Sequence, residues 1–183
     1  VKNPTPIPAR RTKLTLPAPI VLELATKQEG TGLAAAKAFA MANKYAPQLQ
    51  ISPPSYIPKN WVLQLIHVDP SQGAGAPPDS YLQYVPKGLK NAAGSYPSFY
   101  VTKQIGTAPV IVPGAKVQSV VINKGVGGAG VIMGTVADLK LKNGYEQIHV
   151  TWKILNVSYD VSSAVGLSKL TLKDLEAVAA TVS

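Results

Sequence analysis

Most of this chain consists of short apolar blocks, many alternating with polar positions, and that period-two pattern predicts strands. Residues 13–25 (KLTLPAPIVLELA) read as two short strands broken at Pro17 and Pro19. Residues 60–69 (NWVLQLIHVD) are apolar on both faces, as expected of a central buried strand. Further strands are predicted at 81–85, 98–104, 109–112 and 116–123, while 70–97 is otherwise rich in Pro, Gly, Ser and Ala. A connection of that size is usually a surface feature with a role. Two segments break the strand pattern. Residues 31–46 (TGLAAAKAFAMANKYA) are Ala-rich and stopped by Pro47, which predicts a helix followed by extended chain over 47–60. Near the C-terminus Thr171-Leu-Lys-Asp174 has capping-box form, and Leu172, Leu175, Val178, Ala179 and Val182 then share one helical face.

The sharpest local expectation is a hairpin. Asn143-Gly144 is the preferred pair for a two-residue type I′ turn, and it predicts a register in which Leu139 faces Ile148 and Ala137 faces Val150. Lys140 then faces Gln147, and Asp138 faces His149, on the opposite side. In the return strand Ile148, Val150, Trp152 and Ile154 share a face, but from Leu155 the phase moves to Leu155, Val157, Tyr159 and Val161. Such a slip predicts a β-bulge or a strand that crosses between two sheets. These strand candidates, one inserted helix and long Pro/Gly connections predict a mainly β chain: an antiparallel β-sandwich, jelly-roll-like, with an Ala-rich inserted helix and a short C-terminal helix.

Composition adds a second theme. Charged residues are 15% of the chain, well below the usual quarter, and a surface so thinly charged suits burial against copies of itself. There is no cysteine, which removes disulfides and thiolate metal sites. The net charge of +9 is concentrated at the N-terminal end, where residues 1–60 hold eight basic and two acidic groups. Lys2, Arg10, Arg11 and Lys13 precede any acid, and Pro4, Pro6 and Pro8 deny this stretch both helix and a central strand. Residues 1–11 are therefore expected to be an extended basic arm, and 12–183 a single domain. Such an arm suits contact with nucleic acid, a membrane face or an acidic partner, or with a neighbouring subunit; a plain solvated tail is the simpler alternative. Val1 fits removal of an initiator Met and equally a cleaved leader.

Candidate chemistry is sparse. Gly125, Gly127 and Gly130 form G-x-G-x-x-G directly after the strand predicted at 116–123. A dinucleotide loop needs a helix next, whereas Val131, Ile132, Gly134, Thr135 and Val136 favour a strand, and Glu146 begins its strand instead of ending it. The glycines are thus expected in a connection between antiparallel strands, with no cofactor. His67 and His149 lie in different strands without a third nitrogen or sulfur ligand, so no metal site is expected. No paired carboxylates or nucleophile motif suggest catalysis, and neither an enzyme nor a small-molecule substrate is expected. Tyr81, Tyr84, Tyr96 and Tyr100 cluster where the chain reads as loop and short strand, and are expected as interface anchors, with stacking on bases or sugars the alternative. Asn156-Val-Ser158 matches a glycosylation sequon, but it falls in a predicted strand, where a chance match is expected.

The arm VKNPTPIPARRTK, the length and the strands joined by very unequal loops resemble the single jelly-roll coat proteins of icosahedral viruses. The resemblance lies in layout, and the excess of Lys (16) over Arg (2) in the chain departs from the Arg-rich arms of many such coats. It implies a self-assembling capsid subunit in a virion, partnered by copies of itself and other shell proteins, with the arm crossing to a neighbour or touching nucleic acid or membrane on the inner face. The alternative is a secreted, extracellular or cell-surface filament subunit in which residues 12–24 complete a neighbour's sheet. A small ligand- or carbohydrate-binding β module is a third, lesser reading.

Overall fold

A computed structural model of the chain describes residues 17–24, 32–70, 77–89, 97–106, 114–123, 132–140, 146–164 and 168–182. The chain is mainly β and antiparallel. Its strands are β1 (Ile20–Glu23), β2 (Trp61–Asp69), β3 (Asp79–Pro86), β4 (Phe99–Ile105), β5 (Lys116–Asn123), β6 (Ile132–Lys140), β7 (Glu146–Ile154) and β8 (Val157–Ala164). They form one sheet in the order β1-β2-β3-β4-β8-β7-β6-β5. Two four-stranded meanders are thus joined through their last strands, with Val101 opposite Val161 at the seam. A sandwich or jelly roll is compatible with such a sheet, because a long sheet can bend across itself.

Register divides the side chains into two faces. Ile66, Val68, Leu82, Val101, Val161, Val150 and Val136 lie on one and are fully or nearly fully buried. Helix α1 (Ala35–Tyr45) packs against β1 and β2, and α2 (Leu172–Ala179) against β7 and β8. Ala38 and Ala42 from α1, and Leu175, Val178 and Ala179 from α2, complete this core. The Thr171 capping box is present: its hydroxyl accepts from the Asp174 amide at 3.2 Å, while the Asp174 carboxylate accepts from the Thr171 amide at 2.8 Å. The inserted helix starts at Ala35, later than expected, because Leu33 bridges Leu24 and its amide donates to the Glu23 carbonyl. A single 3₁₀ turn (Pro47–Leu49) follows it. Asn43 then grips the chain beyond, accepting from the Ile51 amide at 2.6 Å and donating to the Ile51 carbonyl at 2.7 Å.

Three expectations are corrected by register. The apolar run of β2 is not buried on both sides: a β-bulge between Leu63 and Leu65 brings Trp61 and Leu63 to the same face as Ile66 and Val68. The phase slip at Leu155 is neither a bulge nor a crossing but a tight turn. Ile154 pairs with Val157, leaving Leu155 and Asn156 as its two central residues, Leu155 at φ 53° and 94% exposed. The sequon asparagine is accordingly an exposed turn residue, not a strand residue. Lastly, β6 and β7 pair one residue away from the expected register, with Ala137 opposite His149 and Asp138 opposite Ile148. A two-residue turn running straight into this ladder would give paired numbers with an odd sum, and the described pairs sum to 286. Asn143-Gly144 itself, the strand expected at 109–112, the three glycines and the basic arm with Lys2, Pro4, Pro6, Pro8, Arg10, Arg11 and Lys13 lie outside the described residues.

Candidate functional site

The face of the sheet away from the helices is polar across its centre. Odd-numbered residues of β2 beyond the bulge and of β3, and even-numbered residues of β4 and β8, point to it, bringing His67, Tyr81 and Tyr100 side by side on three adjacent strands. The His67 and Tyr81 rings stack with centroids 4.6 Å apart, and Tyr100 meets Tyr81 edge-on at 5.8 Å. The Tyr100 hydroxyl accepts from Gln83 Nε2 and from Ser98 Oγ, both at 3.2 Å, which fixes its ring. Next to this cluster Asp69 pairs with Asp79 across the strands. Burial pushes the Asp79 carboxyl above its ordinary range, and the Asp69 charge adds to the rise against the pull of His67.

Of the four tyrosines expected at an interface, the fold brings together Tyr81 and Tyr100, in strands and not in a loop. Tyr84 is a correction. It lies on the opposite face, buried and stacked on Phe99 at 4.7 Å, so it is a core aromatic. Its pKa is pushed up by burial. Tyr96 lies outside the described residues.

The shifted β6–β7 register also redistributes charge, since a one-residue slip exchanges the two faces of a strand. His149 meets Asp160 of β8, with Nδ1 3.0 Å from Oδ1, and not Asp138 as expected. Asp138 lies instead on the helix-bearing face, where its Oδ1 is buried without a hydrogen-bond partner. A cavity of about 80 Å³ there is lined by Lys116, Gln118, Val136, Asp138, Ile148 and Leu172. It has room for roughly a few waters at the carboxylate and is far below the size of a drug-sized ligand site. Glu146 shares the neighbourhood: a hydrogen bond with Asp138, and then the Asp138 charge, hold its carboxyl above the usual range.

The antiparallel pairing of β5 with β6 answers the question of the glycine motif. The segment after the glycines is strand β6 where a dinucleotide fold requires a helix, so a Rossmann arrangement is excluded. What the motif's strand does offer is an edge. Lys116 to Ser119 and Val121 are exposed, and among the described residues no strand lies beyond β5. Val117 (47% exposed) and Val121 (49%) point to the polar face, and Met133 (54%), opposite Val121 on β6, extends the patch. Sequence reading found this strand with its boundaries but missed its role. The signal was present in the spacing of Val117, Ser119 and Val121, but only the sheet order reveals that β5 is outermost.

No protein-family model, curated protein or solved structure matches the chain. Function is therefore argued from the geometry.

Proposed function

We propose that the protein is a structural subunit that assembles with copies of itself, in its specific form a coat subunit of a virion shell. The observation that carries this reading is the eight-residue outer strand β5 with Val117, Val121 and Met133 exposed beside it. Long apolar edges are normally shielded in proteins that stay apart, because unpaired backbone groups recruit other strands. The thinly charged surface supports the same reading. The basic arm would contact a neighbouring subunit, nucleic acid or a membrane on the inner side. The filament alternative is weakened by one feature: Ile20–Glu23, part of the segment that would be donated, already pair with β2 of their own sheet.

Sedimentation velocity over a concentration series, followed by negative-stain electron microscopy, tests the proposal. Closed shells or shell fragments are expected. Fibres would favour the filament reading, and a monomer at every concentration would overturn self-assembly altogether.

A further inference from the structure

The outer edge of β5 carries a pattern that specifies its own partner. About Ser119 the strand is nearly symmetric on the polar face, with Val117 two positions before and Val121 two positions after. We infer that two copies of the chain join edge to edge through antiparallel pairing of β5 with β5 about a two-fold axis at Ser119, making one sheet continuous across both subunits. This rests on the self-assembly reading and deepens it by naming the contact.

The geometry selects this register. When a second copy extends the sheet, residues opposite one another must share a face, so their numbers must have an even sum. Centring the axis at Ser119 sets Val117 opposite Val121 of the second copy, twice over. Moving the axis by one residue leaves a valine opposite serine or outside the pairing, so this register alone matches both valines with valine. Met133 flanks Val121 from β6, so each end of the contact becomes an apolar row of Met133, Val121 and the second copy's Val117. Charge agrees. Lys116 is the sole charged residue of β5. Antiparallel pairing holds the two copies of it about 20 Å apart, whereas parallel in-register pairing would set them side by side. Isologous contacts of this kind are the commonest in homo-oligomers.

The chain has no cysteine, which makes a clean crosslinking test possible. Directly opposed residues in an antiparallel pair have Cα atoms about 4.5–5.5 Å apart, within disulfide reach, whereas Val117 would be about 14 Å from its own copy. Under mild oxidation Ser119→Cys should therefore give a disulfide-linked dimer. Val117→Cys and Val121→Cys should each stay unlinked, and the double variant Val117→Cys/Val121→Cys should link. All three positions are exposed, and circular dichroism of the reduced variants confirms the fold. A Ser119→Cys protein that stays unlinked, or single variants that all link equally, would overturn the inference. The wild-type protein is examined in parallel by electron microscopy. Assembly without the Ser119 crosslink removes this contact and leaves the self-assembly reading standing. A wild-type monomer at every concentration removes both.

Discussion

The sheet ends in two edges that are protected very differently. Strand β1 has only four residues, follows Pro17 and Pro19, carries the exposed charge of Glu23, and continues into a bridge between Leu24 and Leu33. Each feature blunts an edge: short length, preceding proline, a charge and covering chain. Strand β5 is twice as long, has no proline, and carries its one charge at one end. Among the described residues, the devices that protect an edge are thus found on the β1 side only. An edge left open among the described residues is informative when its counterpart in the same sheet is shielded.

The comparison can be broken most forcefully at Gly134, which holds β6 against β5. A Cβ there would lie 2.7 Å from Ile122 Cγ1 and 2.8 Å from the carbonyl oxygen of Thr151 in β7, and the backbone oxygen has nowhere to move. Gly134→Ala should cost about 1–3 kcal/mol, as overpacking does. In hydrogen exchange, protection should fall in β5 and β6 while β1 and β2 stay unchanged. Equal loss at both edges would show that the two sides of the sheet are not independent.

A smaller effect is expected from charging the edges themselves. Val117→Lys with Val121→Lys should weaken self-association at least about tenfold, roughly 1.4 kcal/mol, in sedimentation equilibrium. Val21→Lys, on the exposed side of β1, should leave association as it is. If the β1 variant weakens assembly as much as the β5 pair, the asymmetry between the edges has no functional meaning.

The smallest effect concerns pH, on the β1 side. Asp79 has a raised pKa in the folded state, so the fold binds a proton there more readily than the unfolded chain does. Stability from this site is present below the unfolded carboxylate pKa and is lost as pH rises through the folded one. Asp79→Asn should therefore remove part of the fall in stability across that acid window, read as melting temperature against pH. An unchanged slope would place the pH dependence elsewhere, with Glu146 the next group to test.

How much of this could be read beforehand depended on whether the deciding information was local. The capping box at Thr171 and the span of β5 were legible because a few adjacent residues determine them. The two hairpins around β7 show the limit. Asn143-Gly144 has the strongest short turn signal in the chain, yet the β6–β7 register is not that of a two-residue turn. Leu155-Asn156 carries a weak signal and does make the tight turn, with Leu155 in a left-handed conformation that costs about 1–2 kcal/mol per residue. Its apolar side chain extends the alternation of β8 backwards by one step, so the turn reads in the sequence as a slip of phase. The observed β6–β7 register sets Val136 opposite Val150 and Gly134 opposite Trp152, with both valines and the tryptophan buried on the helix-bearing face. The cluster of His67, Tyr81 and Tyr100 was half visible as tyrosines near one another in sequence. The share of each face became known only through the bulge in β2 and the pairing of β3 with β4.

The strand order has a consequence in time. The innermost seam joins β4 to β8, and the Ser163 hydroxyl reaches the Ser98 carbonyl at 2.8 Å across 65 residues of sequence. As the chain leaves the ribosome, β1 to β4 can pair in order, but β4 waits with an unsatisfied edge until β8 has emerged. During that interval the nascent protein presents an open strand border, one that the finished molecule conceals. Many copies made side by side would compete for it, so crowding at the site of synthesis works against folding.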